Sequence, residues 1–359
     1  MGAFAKRTRT VARVFALVHA TVLFALGCHA ASPRPESPPS MFATAPQPRD
    51  LPAERANGDV IQLRPILITS RSEYFALTYW SGGLRVNGFL GRPRHPSGRL
   101  PAVVWNRGGN RDFGATNGRW MVPYVEAGYV TVGSQYRGGG GSEGKDGFGG
   151  DDVEDVLNLV AMLKRLPEVD PARIGMVGYS RGGMMTYRAV REDARRGLND
   201  IRVAASVGGV GDYLHHDEER PDMVPVFLAT IGCAPWACPE EYVERSAVNW
   251  AGELRAPLML LHGEADDRVP VDQSLRLAAK MREAGRSVKL ITYPGEDHGL
   301  TAHEGGLPEI LRWLGEHLGM APETYSRVRV VPAAEEVFRS WPMQVPMAQP
   351  DLATNAGDR

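Results

Sequence analysis

From Phe75 to Tyr293 the chain carries short apolar runs of strand length, set between loops rich in glycine and charge. Longer segments whose apolar residues recur at helical spacing lie among them. The strand-like runs are a hairpin from Phe75 to Leu90, then Pro101–Trp105, Tyr129–Val132, Ile174–Val177, Val203–Val207, Leu258–Leu261 and Ser287–Tyr293. Between Asp151 and Leu166, the residues Val153, Val156, Leu157, Val160 and Leu163 keep the helical period, and the acidic first turn suits the positive end of a helix dipole. A shorter helical segment centres on Tyr124, and another begins after residues 178–182. Such alternation predicts an α/β fold, with a mostly parallel sheet covered on both faces. Residues 209–250 interrupt it and read as a lid insertion, so the substrate pocket is sought among Tyr213, Phe227, Trp236 and Tyr242.

One loop names the chemistry. Gly178-Tyr179-Ser180-Arg181-Gly182 follows a strand-like run and precedes a helix-like one, the setting in which G-x-S-x-G forms the nucleophile elbow of an α/β-hydrolase fold. This fold places its acid and then its base after the serine in chain order. Asp266 falls in the loop after the run ending at Leu261, and His298 in the loop after the run ending at Tyr293. Both occupy the carboxyl end of a strand, where open α/β sheets hold their reacting groups. Ser180, Asp266 and His298 are therefore the candidate triad: imidazole to take the hydroxyl proton, carboxylate to fix the imidazole tautomer. Asp267, Glu296 and Asp297 read as solvated loop acids, His262 as a structural end to its strand, and His215, His216, His303 and His317 as surface or lid residues. Acyl transfer also needs donors for the developing oxyanion. The main-chain N–H of Arg181 is one. Gly109, in the glycine pair after Trp105, is the other, with Asn110 as its alternative.

The ends of the chain differ in kind. Lys6, Arg7, Arg9 and Arg13 precede an apolar stretch from Val14 to Leu26, which suits a bacterial secretory signal better than a membrane-spanning helix. Ala25-Leu26-Gly27-Cys28 then resembles a lipoprotein box with Cys28 as the lipidated residue; cleavage after Ala30 is the rival. Either route exports the chain from the bacterial cytoplasm, to a lipid-anchored membrane surface or the periplasm. The organisation expected is a signal region over 1–30, a Pro-rich linker over 31–60, a catalytic domain over 61–319 and a C-terminal extension over 320–359.

Composition narrows the partners. With 43% hydrophobic residues there is material for a sizeable core, and a net charge of −1 gives no excess with which to neutralise nucleic-acid phosphates. Of the three cysteines, Cys233 and Cys238 suit a small disulfide in an oxidising compartment. Free thiols are the alternative, and two cysteines without a second pair make a poor zinc site. No metal or cofactor is expected. The oligomeric state is not legible.

Several segments together resemble the catalytic domain of the prolyl oligopeptidase family of serine peptidases. They are Tyr179-Ser180-Arg181-Gly182-Gly183, the stretch from Leu261 to Pro270, and Gly295-Glu296-Asp297-His298, supported by Leu84 to Leu90, Gln135 to Gly138 and Tyr242 to Ser246. The resemblance spans roughly residues 72–319. It implies Ser180, Asp266 and His298 as triad, main-chain donors near Gly109 and Arg181, and peptide substrates. Arg107 stands where a His usually precedes the paired glycines, and Asn110 where a Pro usually follows. No propeller domain precedes the catalytic one. Relatives of a lone catalytic domain include carboxylesterases, so small acyl esters are the alternative substrates, and a non-catalytic binding protein of this fold is a remoter reading.

Overall fold

The computed structural model describes residues 55–326 and Met347. The leader with Cys28, the Pro-rich segment as far as 54 and, Met347 apart, the extension beyond 326 lie outside the described residues. In chain order the elements are β1 (Val60–Ile68), β2 (Ser72–Ser81), β3 (Leu84–Pro93), β4 (Leu100–Asn106), α1 (Val122–Glu126), β5 (Val130–Ser134), α2 (Asp152–Arg165), β6 (Val169–Tyr179), α3 (Arg181–Arg195) and β7 (Ile201–Val207). There follow α4 (His216–Glu219), α5 (Val224–Thr230), α6 (Pro239–Arg245), β8 (Leu258–Gly263), α7 (Asp272–Glu283), β9 (Val288–Tyr293), α8 (Leu307–His317) and α9 (Pro322–Ser326).

The strands form one sheet in the order β1-β2-β3-β5-β4-β6-β7-β8-β9. Pairings from β1 to β5 are antiparallel, and those from β5 through β4 to β9 are parallel. This is an α/β-hydrolase sheet. Successive residues of a strand point to opposite faces, so Val104 and Met176 pack on one side in the cluster that includes α2, α3 and α7 residues. Val103 and Val177 pack on the other, with Ile310, Leu311 and Leu314 of α8. Because both faces are covered, the central strands read as continuous apolar runs.

β1 was not anticipated. It holds Arg64 and Pro65, leaves Val60, Leu63 and Ile68 exposed, and so carries no two-residue alternation. Proline is tolerated there because an edge strand has an unpaired side. Between β7 and β8 the chain forms α4, α5, α6 and short 3-10 turns, with Cys233 and Cys238 joined in a disulfide. Met347 packs against the small cluster of Tyr74, Phe89, Met121, Val122 and Val125.

Candidate active site

The parallel order sets the carboxyl ends of β4, β6, β8 and β9 along one rim, and each sequence-predicted residue falls just beyond one of them. Ser180 links β6 to α3 with φ 58° and ψ −125°, a conformation disfavoured for any residue with a Cβ. Its surroundings hold it there. The Ser180 N–H donates to the Val207 carbonyl at 2.9 Å, and the Ser180 carbonyl accepts from Gly183 N–H at 2.8 Å. A side chain at Gly182 would strike the main-chain carbonyl of Asn106, so strand and helix meet this closely only with glycine.

Asp266 and His298 meet although they lie 32 positions apart in the chain. Nδ1 of His298 donates to Oδ2 of Asp266 at 2.7 Å, and both residues are buried. The other carboxylate oxygen, Oδ1, accepts the N–H groups of Arg268 at 2.9 Å and Val269 at 2.8 Å. Burial alone would raise the Asp266 pKa, yet the hydrogen bonds from His262, His298 and Val269 hold it well below the usual carboxylate range. His262 is thus more than the end of a strand. Fully buried, it places Nε2 2.8 Å from the Val269 carbonyl and 3.2 Å from Oδ2 of Asp266, while Nδ1 lies 2.7 Å from Ser274 Oγ. A carbonyl at Nε2 requires the proton there, so Nδ1 accepts from the Ser274 hydroxyl. The extension of the Asp266–His298 pair through His262 to Ser274 had only one sequence cue, an apolar strand ending in a histidine. Among the described residues, Ser180 Oγ forms no hydrogen bond to His298; such contacts commonly tighten only once substrate is bound.

The loop after β4 is organised from below by two buried arginines. Arg107 donates to the carbonyls of Gln135 at 2.7 Å, Arg111 at 2.7 Å and Gly108 at 3.0 Å. Burial, and then the nearby charge of Arg181, pull its pKa down to about 10. Arg181 donates to the Gly109 carbonyl at 3.0 Å and forms ion pairs with Asp146 at 2.7 Å and with Asp152. Burial would lower the Arg181 pKa, but the charges of Asp152 and Asp146 raise it above the ordinary value. The Tyr136 ring faces both guanidinium groups, 5.0 Å from Arg107 and 5.2 Å from Arg181. Asp146 also accepts the N–H groups of Arg111 at 2.6 Å and Phe148 at 2.8 Å. Gly109 has φ 70°, and a Cβ there would meet the Phe113 carbonyl. The Arg181 N–H is in the first turn of α3, where no intrahelical acceptor exists.

Above this floor lies a cavity of about 750 Å³ to which Gly109, Ser180, Arg181 and His298 all contribute. Its walls include Trp105, Phe113, Phe148, Tyr179, Tyr213 and Val269. Of the four aromatics proposed from the 209–250 insertion, only Tyr213 lines it. Phe227 and Tyr242 are wholly buried behind it in edge-to-face contacts, and Trp236 is 72% exposed to solvent. His216 is a buried wall residue, its Nδ1 3.1 Å from Glu219, rather than a surface one. Asp267 is exposed at the cavity edge; Asp297 accepts from Thr301 and Gly299, and Glu296 from Ala302. Among the described residues no group of three His, Cys, Asp or Glu side chains is arranged to hold a metal ion.

The profile of the prolyl oligopeptidase family, Peptidase_S9, matches residues 116–321. The chain is 32% identical over 224 residues to the uncharacterized peptidase YtmA of Bacillus subtilis, covering 62% of this chain and 85% of that protein. Among solved structures, a Mycobacterium tuberculosis puromycin-hydrolyzing peptidase aligns with a TM-score of 0.62 and 25% identity, covering 70% of this chain and 40% of that one. An acylaminoacyl peptidase of Pyrococcus horikoshii aligns with a TM-score of 0.62 at 24% identity, a likeness of fold, over 71% of this chain and 43% of that one.

Proposed function

Because the chain belongs to the prolyl oligopeptidase family and is a serine peptidase, we propose that it cleaves peptide amide bonds through an acyl-enzyme on Ser180. Ser180 Oγ attacks the scissile carbonyl as Nε2 of His298 takes its proton. Asp266 holds the opposite nitrogen, Nδ1, as the donor and stabilises the imidazolium that forms. The tetrahedral oxyanion rests against the main-chain N–H groups of Gly109 and Arg181. Collapse breaks the C–N bond, and His298 returns the proton to the departing amine. Water then repeats the sequence on the acyl-enzyme, with His298 again as base.

The observation that carries this reading is the buried 2.7 Å contact between His298 and Asp266 at the rim of the cavity onto which Ser180 opens. A fluorophosphonate probe tests it: the wild type labels and Ser180→Ala does not, and equal labelling of both overturns the assignment. Turnover of aminoacyl amides against short-chain acyl esters then separates peptidase from carboxylesterase. Export and attachment through Cys28 belong to the same proposal. Incorporation of an alkyne fatty acid into the wild type but not into Cys28→Ala is the outcome that supports lipidation.

A further inference from the structure

On the α8 side of the sheet, a second cavity of about 270 Å³ lies against the main one. Trp105 and Tyr179 line both. The remaining walls of the smaller cavity include Trp120, Gly299, Glu304 and Leu307. Trp105 and Trp120 stack with ring centroids 4.2 Å apart, giving it a flat aromatic side. Gly299 is the residue after His298, and Tyr179 the residue before Ser180. The cavity is therefore lined by the chain neighbours of the two groups between which the scissile bond must lie.

We propose that this second cavity binds the leaving-group residue of the substrate, an apolar side chain on an amine that bears no free carboxylate. The inference rests on the acyl-enzyme reading above. In that reaction the carbonyl oxygen points toward Gly109 and Arg181, while the departing amine must face His298, which protonates it. The acyl portion then occupies the larger cavity around Phe148, Tyr213 and Val269, and the residue on the amine side is directed past His298 toward Gly299.

Two further observations agree. The wall after His298 holds two residues with a Cβ in the left-handed region: Leu300 and Glu304 have φ of 51° and 52°. Such backbone persists where the surroundings dictate it, and it clusters at ligand sites. Asp297 fixes the near end of this segment by accepting the N–H groups of Gly299 at 3.0 Å and Thr301 at 3.1 Å. The charge is also one-sided. Glu304 is exposed on this wall and forms no ion pair among the described residues, so a substrate carboxylate next to the scissile bond meets repulsion, while an amide or a cation does not.

Partitioning of the acyl-enzyme tests the inference directly. The enzyme is acylated by a short p-nitrophenyl ester, and glycinamide, leucinamide or free leucine competes with water. In aminolysis the new C–N bond forms as the bond from the acyl carbon to Ser180 Oγ breaks, and the amine proton passes through His298 to the serine oxygen. Burying one leucine side chain predicts capture by leucinamide about tenfold or more above glycinamide. Compared at equal concentrations of unprotonated amine, free leucine should lag behind leucinamide in the wild type, and the gap should narrow in Glu304→Gln. Leu307→Trp should remove most of the leucinamide advantage. The partition ratio is internal to each preparation, so differences in overall rate do not enter it. Equal capture of leucinamide and glycinamide by the wild type overturns the inference, as does an advantage undiminished in Leu307→Trp. Absence of both ester turnover and fluorophosphonate labelling would instead refute the acyl-enzyme reading itself.

Discussion

Two buried polar groups flank Ser180, and they are built on opposite principles. On the side of the β4 loop, Arg107, Arg181, Asp146 and Asp152 assemble two cations and two anions, each nearly excluded from solvent. Their charges balance, and their hydrogen bonds go largely to main-chain groups of the Gly108–Phe113 segment and the Gly-rich loop. On the other side, Ser274, His262, Asp266 and His298 form a line of groups that can pass or hold protons, with a single fixed charge on Asp266. The first group positions backbone donors, for which a permanent, compensated charge is suited. In the proposed mechanism the second accepts a transient positive charge on His298, for which an uncompensated carboxylate is suited. Buried ion clusters add little net stability over apolar packing, but they are costly to break. That asymmetry separates the two sides experimentally.

The largest effect is expected at the proton-moving side and should appear chiefly in rate. Ser180→Ala is expected to lower kcat by about a million-fold, and Asp266→Asn by about ten-thousand-fold through the wrong imidazole tautomer. Both are read as turnover of an aminoacyl amide, with urea unfolding as the control. On the other side the loss should fall on folding. Arg181→Met strands Asp146 and Asp152 as buried, unpaired carboxylates, and is expected to cost about 3–5 kcal/mol in urea denaturation. Arg107→Met leaves carbonyls of Gly108, Arg111 and Gln135 without their donor, at about 1–3 kcal/mol for each one that water cannot reach. If Arg181→Met instead unfolds like the wild type, the scaffold reading of this cluster fails.

Acid offers a way to see both sides at once. The folded-state pKa values of Asp146 and Asp266 are both depressed, in each case against the opposing push of burial: Asp146 by Arg181, Asp266 by its hydrogen-bond donors. Groups depressed in the folded state contribute stability above their unfolded pKa of about 4, and that contribution fades as pH falls through the folded values. Urea midpoints should therefore hold on this account between pH 7 and 5 and decline below about pH 4, with a shallower decline in Asp146→Asn. The smallest effect is expected at the far end of the proton line. Ser274→Ala removes one buried hydrogen bond and should cost about 1 kcal/mol, with kcat little changed.

How legible these features were depended on sequence distance. The strands between β4 and β9 stand out because burial on both faces makes them apolar throughout, and the elbow because its steric demands leave a local glycine pattern. β1 was missed because it lies at an edge and buries little. The triad candidates were legible as strand-end positions, each read from its own loop. The arginine cluster was not. Asp146 and Asp152 look, in sequence, like loop and helix-cap acids, and nothing local pairs them with a residue on α3. The departure at Arg107 was visible, but not its reason: a long side chain that ties carbonyls of its own loop to that of Gln135 after β5. That His262 bonds Asp266 and that His216 lines the cavity could not be read from sequence, because imidazole in a loop or at a strand end carries no mark of what it faces.

The amino-acid order by itself determined the α/β alternation, the chemical types available at each strand end and their order along the chain, since periodicity and turn sterics act over a few residues. Only the tertiary structure decided which acid faces which histidine, which aromatics of the 209–250 insertion reach the cavity and which arginines support the loop after β4. Those outcomes depend on contacts between residues remote in sequence. They become definite only when the sheet is assembled and burial forces each polar group to find a partner.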